Sequence, residues 1–409
     1  MIKITGTALL CAGLCVGSIL PATAGDATSG AASDSSTASQ YDQALLSAKG
    51  TYLGIVSHDN GAKILSVVNL KTMKPTRSLK FTSDHSIEGV WWASDDKLVV
   101  SKTGDFDDSQ SGELYAFDAE GSGTTYLYGR NGDAHTGTHL GGAKQEGGIA
   151  LMVDPLPLDP NHILVVILRS EPAFQLAEID LATATRRTVG SANYSWFRTH
   201  RTTGGLRTPA GQIATDDAGR PRYAIAVRPI VLKPSDEFVE LIPNGDRWEP
   251  VENSGTDEHT ELLGVSANGA TAYLIRSPDG CLIARDLTNA TVRVVACDEP
   301  LTRGNIVFAR AGGAPIVVGY KGNHPPVFLE PDSFEAKAYR SLQKSFGNQN
   351  LRVMSSTPDS HKLIVEVSGK DKPGELYLID LDAKKAEFLL SKQPGNDAPA
   401  EPAKPSAAN

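Results

Sequence analysis

One short pattern of hydrophobic and polar positions recurs along the chain. It consists of an apolar residue, two variable residues, an apolar or neutral residue, and then Asp or another turn-forming residue, as in ELYAFD. The sharpest copies begin at Glu113, Gln175, Cys281 and Glu375, and looser copies begin at Lys63, Glu237 and Pro326. Apolar and aromatic runs bounded by polar turn residues in this way predict β-strands.

Neighbouring copies of the pattern lie 44 to 62 residues apart. Several copies follow an apolar strand that begins after a polar turn, such as SDDKLVVSK, and precede a further strand, such as TTYLYG. Strand groups at this spacing predict the blades of a β-propeller, in which each small antiparallel sheet buries its faces against its neighbours. We therefore predict an all-β fold, a single β-propeller of about seven blades in residues 51–390.

One segment follows the helical period instead. Residues Asp332–Phe346 begin with a capping residue, place Phe334, Ala338 and Leu342 on one face, and are followed by Gly347 as a stop signal. We predict a single helix here, inserted between the last two blades.

The two ends of the chain differ in composition from the repeat region. Residues 1–24 have a weakly positive start, the apolar stretch Ile4–Leu20 and an A-x-A pattern that ends at Ala24. They predict a cleaved signal peptide and an exported protein, periplasmic or secreted, with a retained membrane anchor as the alternative. Residues 25–50 and the Pro/Ala-rich 391–409 predict a disordered linker and tail.

Charge narrows the classes of partner. The formal net charge of -9 and the sequence pI near 5.5 argue against general binding to nucleic acid or to anionic membranes. Beyond the predicted signal peptide, the sequence has no apolar run long enough to cross a bilayer. We therefore predict no nucleic-acid partner and no integral membrane segment after signal cleavage.

Signal cleavage would leave two cysteines, Cys281 and Cys297. Cys281 begins the predicted strand CLIARDL, and Cys297 ends the predicted strand TVRVVAC. If the two strands form a hairpin folded about Asn289, the cysteines lie opposite each other and Leu287 lies opposite Thr291. An even pair in an exported protein favours a structural disulfide, and two buried free thiols are the alternative.

The C-terminal part of the repeat resembles the end of the propeller in the prolyl oligopeptidase family of serine peptidases, particularly its exported bacterial members. After the helix come a polar S-x-D turn in Ser356–Asp359, a D-x-P-G loop at Asp371–Gly374 and a YLxD strand at Tyr377–Asp380. Weaker similarity occurs at Gly89–Ser101, Gly112–Gly123 and Asp216–Val227. The resemblance implies a substrate-gating propeller.

In that family the propeller is joined to an α/β-hydrolase domain, whose nucleophile lies in a G-x-S-x-G turn. This sequence contains no G-x-S-x-G, and the nearest segment is GVSANG at Gly264–Gly269. Nineteen residues follow Leu390, fewer than a βαβ unit needs. We therefore expect no hydrolase domain, no catalytic residues and no enzyme activity.

Two segments are weak candidates for metal binding. His135 and His139 are four residues apart, but they lie in a glycine-rich stretch that does not favour a helix. Asp105, Asp107 and Asp108 form an acidic cluster without the spacing of an EF-hand loop. We interpret both segments as solvated loops and predict no metal and no cofactor.

Two further features concern ligands and packing. Arg198, His200 and Arg201 form the most basic local patch, a candidate loop for an acidic peptide end or a carboxylate, with a solvated loop as the alternative. Adjacent residues of a strand point to opposite faces, so we expect Trp91 and Trp92 to pack in different layers between neighbouring blades.

Together these features predict an exported, non-catalytic propeller that binds a peptide or protein partner on its loops or in its central channel. Two alternatives remain open at this stage. The first alternative is a subunit of a split peptidase that acts with a separately encoded hydrolase. The second is a propeller enzyme with a site at the channel mouth.

Overall fold

The fold was analysed in a computed structural model. It describes residues 3–5, 41–59, 62–81, 85–103, 110–129, 148–168, 174–195, 211–228, 237–252, 255–257, 259–298, 300–308, 314–319, 326–347, 349–369 and 372–392. Within these ranges the chain forms one α-helix and seven successive groups of antiparallel strands, and the third and fourth groups join edge to edge into one eight-stranded sheet. The all-β propeller with about seven blades is thereby confirmed.

The blades are built from consecutive strands. The first strand is β1 (Lys3–Thr5). Blade 1 contains β2 (Tyr41–Leu46), β3 (Tyr52–Asp59), β4 (Ala62–Asn69) and β5 (Lys74–Leu79). Blade 2 contains β6 (Ile87–Trp92), β7 (Lys97–Thr103), β8 (Gln110–Asp118) and β9 (Thr124–Tyr128), and blade 3 contains β10 (Ile149–Asp154), β11 (His162–Leu168), β12 (Phe174–Asp180) and β13 (Arg186–Ala192). Blades 4 and 5 contain β14 (Gln212–Thr215), β15 (Pro221–Arg228), β16 (Glu237–Asn244) and β17 (Arg247–Pro250); and β18 (Glu261–Val265), β19 (Thr271–Arg276), β20 (Cys281–Asp286) and β21 (Val292–Ala296).

The last two blades differ from each other. Blade 6 has three strands, β22 (Ile306–Phe308), β23 (Pro315–Val318) and β24 (Val327–Phe328), after a short 3-10 helix at Arg303–Asn305, and α1 (Phe334–Phe346) follows it. Blade 7 contains β25 (Asn350–Ser356), β26 (Lys362–Gly369), β27 (Lys372–Asp380) and β28 (Lys385–Ser391). The short β1 pairs in parallel with β28.

The recurring sequence pattern marks the third strand of every blade. Its terminal Asp has a physical role, since in β12 the carboxylate of Asp180 accepts a hydrogen bond from the Thr183 amide at 2.8 Å. The next residue, Leu181, donates its amide to the carbonyl of Asn161 in the first turn of the blade at 2.8 Å. The corresponding side chains in blades 5 and 7 accept similar bonds: Asp286 and Asp380. The repeat is therefore a turn-forming device that ties two turns together.

Blade contacts form a complete ring. Each blade touches the next, and the inner strand β2 of blade 1 contacts β25 and β26 of blade 7. Apart from the short β1, which pairs with the outer strand of blade 7, no described strand is shared between blades 1 and 7, and their inner strands meet through side chains. Their shared core is Tyr41, Ala44, Leu46, Leu53, Ile364, Leu376 and Leu389. In addition, the amide of Leu46 donates to Ser355 Oγ at 2.8 Å across this seam.

Charged groups complete the seam between blades 1 and 7. Glu366 accepts hydrogen bonds from Arg352 Nε and Lys392 Nζ, both at 2.7 Å, and from the hydroxyl of Tyr41 at 3.4 Å. Lys392 Nζ also lies 4.6 Å from the centre of the Tyr41 ring. Burial alone would raise the pKa of Glu366, but the bonds from Lys392 and Arg352 outweigh it and hold that pKa below its ordinary value.

The predicted helix is confirmed; of its predicted apolar face, Leu342 is buried and Phe334 is exposed. Helix α1 begins after Ser333, whose Oγ accepts from the Ala336 amide at 3.1 Å, and ends at Gly347. Its buried residues are Ala336, Tyr339, Leu342 and Phe346, and the last three pack in one core with side chains from blades 6 and 7. Phe334, in the first turn, is 44% exposed and stacks on His361, with 4.9 Å between the ring centres.

Two predicted boundaries also need correction. The predicted disordered linker at 25–50 extends too far, because Tyr41–Leu46 is the inner strand of blade 1 and Tyr41 is buried. At the other end, Ser391 still belongs to β28 and Lys392 contacts Glu366, so the predicted tail at 391–409 begins too early. No helix in the described ranges has the length and apolar character needed to cross a membrane.

Candidate functional site

A cavity of about 400 Å³ lies among the inner strands of the propeller. Its lining comes from β2, β6, β10 and β25 and from the turns that follow three of these strands, so blades 7, 1, 2 and 3 all contribute to its wall. A volume of this size falls within the range of small-molecule and peptide-side-chain sites. We call it the central cavity.

One end of the central cavity carries paired, exposed charges. Asp42, near the start of β2, lies 2.7 Å from Nε2 of His58, and both side chains are more than one-third exposed. Arg352, near the start of β25, binds Glu366 and keeps 57% of its side chain exposed. These charges already have partners, so this end is a polar rim.

The opposite end, where the inner strands stop, holds a buried carboxylate. Asp154 closes β10, is only 7% exposed, and lines the cavity. Its Oδ1 accepts the amide of Leu156 at 2.7 Å, and its Oδ2 accepts the hydroxyl of Thr215 from the first strand of blade 4. Proline residues 155, 157 and 358 make the surrounding wall apolar.

Two serines of β25 also line this end of the cavity. Ser355 Oγ is engaged, since it accepts the Leu46 amide across the blade seam. Ser356 is 9% exposed, and its Oγ has no hydrogen-bond partner among the residues that the structure describes. A buried hydroxyl without a partner carries a free-energy cost that a ligand could remove.

The two tryptophans of β6 face different layers, as predicted. Trp92 is buried between blades 1 and 2, stacks on Tyr52 and donates its Nε1 to the carbonyl of Leu45 at 2.9 Å. Trp91 packs on the core between blades 2 and 3 but remains partly exposed and lines the central cavity. Its ring covers Gly89, where a β-carbon would lie 2.2 Å from it, so glycine is required for this ring position.

A second polar cluster is structural. Glu240 in blade 4 and Arg285 in blade 5 form an ion pair of 2.6 Å, with 2% and 5% of their side chains exposed. The hydroxyls of Tyr223 and Thr256 also donate to Glu240. Burial, and then the negative charge of Glu240, raise the pKa of Tyr223 well above its ordinary value. This cluster joins two blades and does not line the central cavity.

The cysteine prediction is supported at the level of geometry. The sulfur atoms of Cys281 and Cys297 lie at bonding distance, with 4.5 Å between the Cα atoms. The predicted pairing of Leu287 with Thr291 is wrong by one residue, because a bulge follows Leu282 and brings Asp286 opposite Thr291.

The other residues singled out in the sequence lie outside the described ranges. They are the basic patch and the weak metal candidates: Arg198, His200, Arg201, His135, His139, Asp105, Asp107 and Asp108. Sequence reasoning missed Asp154, Ser356 and the cavity-facing role of Trp91. The available signal was positional, since each lies on the first, innermost strand of its blade.

Comparison with known proteins adds little to this geometry. No protein-family model and no curated protein matches the chain. A structure from a study of two prolyl endopeptidases is 12% identical with a TM-score of 0.35, over 87% of this chain and 42% of its own length. An oligogalacturonate lyase in complex with manganese is 14% identical with a TM-score of 0.40, over 83% of this chain and 77% of its own.

A third solved structure is the β-propeller domain of the Trilobed protease from Pyrococcus furiosus. It is 9% identical with a TM-score of 0.43, and the match covers 89% of this chain and 98% of that domain. These chains are similar to the propeller at a low level, and the blade count above rests on the strands of the protein itself.

Proposed function

We propose that this chain is an exported, non-catalytic binding protein whose central cavity receives a segment of a peptide or protein partner. The observation that carries the proposal is the central cavity, about 400 Å³ in volume and formed by the inner strands of four blades. Its walls combine apolar side chains with a few polar groups, the composition expected of a binding site.

The rigidity of the surrounding structure supports a binding role. The cavity walls are strands whose outward-facing residues are packed into the cores between blades, and the ring is closed by a buried seam. A preformed site of this kind loses little conformational entropy when a ligand binds. The non-catalytic part of the proposal rests on the sequence, which lacks the G-x-S-x-G element of the peptidase family that it resembles.

Retention of peptides from a mixed tetrapeptide library, identified by mass spectrometry, would test the binding role. Met354 lines the cavity, so Met354→Trp should fill it and abolish retention. Val294, on the outer strand of blade 5, is 54% exposed, and Val294→Trp is the matched control that should retain the same peptides as the wild type. Equal retention by Met354→Trp, or no retention by the wild type, would contradict the proposal.

The same preparation tests the absence of catalysis. We expect no turnover of aminoacyl and peptidyl chromogenic substrates and no labelling by a serine-reactive probe. Turnover that follows the protein through purification and is lost in a cavity variant would show a propeller enzyme instead.

A further inference from the structure

The charge balance of the central cavity is unequal at its two ends. At the rim, Asp42 and Arg352 have oppositely charged or titratable partners. Asp154, at the buried end, has only the neutral donors Leu156 and Thr215, and no cation lies within ion-pair distance in the described part of the chain. A buried carboxylate without a counter-charge carries a large desolvation cost. The cavity therefore lacks a positive charge at this position.

The neighbouring groups define the kind of cation that fits. An ionised carboxylate has about four acceptor positions, and Asp154 uses two of them, so two remain. Ser356 Oγ, on β25 of blade 7, is one more unpartnered buried acceptor that lines the cavity. The partly exposed indole of Trp91 adds an aromatic surface, which attracts cations through its ring electrons.

We propose that the central cavity binds a primary ammonium group carried by a peptide, with Asp154 as its counter-charge and Ser356 as a hydrogen-bond acceptor. An ammonium group has three donors and a compact charge, which matches few acceptors in a narrow space. One carboxylate and one hydroxyl are few ligands for Ca²⁺, which takes six to eight oxygens. This inference rests on the proposed peptide-binding function and specifies the recognised group.

Binding of three defined probes to the full-length protein, measured by titration calorimetry, tests the inference. The probes are tetra-alanine amide with a free amino terminus, its N-acetylated form, and N-acetyl-Ala-Ala-Lys amide. We expect the acetylated tetra-alanine to bind about ten- to a hundredfold more weakly than an ammonium probe, the loss typical of one hydrogen bond to a charged group. Preference for the first probe identifies a chain terminus as the source, and preference for the third identifies a lysine side chain.

Variants assign the effect to the residue. Asp154→Asn keeps the shape and removes the charge. Its amide oxygen still accepts the Leu156 amide, and its amide nitrogen donates to the Thr215 hydroxyl, which must turn to accept. The variant should weaken the ammonium probes by at least about tenfold. It should melt at the wild-type temperature or above, because an unpaired buried charge is lost. Ser356→Ala should weaken them less. Asp180→Asn, at a turn carboxylate that also accepts a backbone amide but does not line the cavity, is the matched control and should change affinity by less than about threefold.

The outcomes separate the two proposals. Equal binding of acetylated and free tetra-alanine, with loss of both in Met354→Trp, would overturn the ammonium assignment and leave peptide binding intact. Unchanged affinity in Asp154→Asn would also overturn it. If none of the three probes binds at millimolar concentration, the ammonium assignment and peptide binding by the central cavity both fail.

Discussion

The buried ion pair between blades 4 and 5 offers a sharp test of how the blades are held together. Arg285 and Glu240 meet at 2.6 Å with almost no solvent exposure. Arg285→Met keeps much of the apolar stem and removes the guanidinium group. The carboxylate of Glu240 then stays buried with only the hydroxyls of Tyr223 and Thr256 as donors. The variant therefore leaves a negative charge in the blade interface.

Removing one partner of a buried ion pair typically costs about 3–5 kcal/mol. Because two hydroxyl donors remain on Glu240, we expect Arg285→Met to lower the free energy of unfolding by about 3 kcal/mol, at the low end of that range. Adding Glu240→Gln removes the stranded charge, so the double variant should be more stable than Arg285→Met alone. An exposed pair provides the contrast, since Arg187, which binds Glu178, is 72% exposed. Arg187→Met should cost at most about 1 kcal/mol.

Urea unfolding followed by circular dichroism gives the free energies, and an unchanged dependence on urea concentration shows that the variants are compared over the same transition. Two results would refute the reasoning. One is a loss in Arg285→Met no larger than that in Arg187→Met. The other is a double variant that is no more stable than Arg285→Met, which would show that the stranded carboxylate of Glu240 is not the source of the cost.

Three further predictions concern other parts of the ring. The pKa of Glu366 is lowered in the folded state, so its contribution to folding stability is present above its unfolded pKa and is lost as the pH falls through its folded pKa. Glu366→Gln should therefore be less stable than the wild type in urea unfolding near neutral pH, and the difference should disappear in strong acid. Reducing the Cys281–Cys297 pair, which spans 16 residues, should lower the free energy of unfolding by about 3 kcal/mol, measured by urea unfolding with and without a reducing agent. Gly89→Val should displace Trp91, lowering both the melting temperature and peptide retention by the cavity.

The fold could be predicted because its strongest signal is local. In blades 3, 5 and 7 the third strand is rich in buried residues and ends in an Asp that closes a turn, so apolar runs ending in Asp stand out, as at Asp180 and Asp380. The inner strands give a weaker signal. In β2, the buried residues Tyr41, Ala44 and Leu46 alternate irregularly with residues that face the cavity. A bulge after Tyr41 breaks the period of two, so the strand resembles a linker.

The candidate site could not be predicted for a related reason. Asp154 ends a strand and precedes proline-rich sequence, as a turn residue would, and it does accept a turn amide. Asp216 and Asp359 occupy similar turns and accept similar bonds. What distinguishes Asp154 is burial on a cavity wall shared by four blades, which depends on contacts between distant segments. The exposure of Phe334 on α1 was mispredicted for the same reason, since the helix packs on side chains from both blade 6 and blade 7.

The position of the seam links binding to the integrity of the ring. Blades 1 and 7 are held together by side chains, and both blades contribute to the wall of the central cavity, through Asp42 and Leu45 on one side and Arg352 and Met354 on the other. Under the proposed function, a ligand in the cavity contacts both sides of the seam and therefore binds only the closed ring. A ligand that binds only one state stabilises that state in proportion to its concentration and affinity. Opening of the seam and release of the ligand are then one coupled equilibrium. When the ligand is a cation, the unpaired charge of Asp154 strengthens its binding and so favours the closed ring.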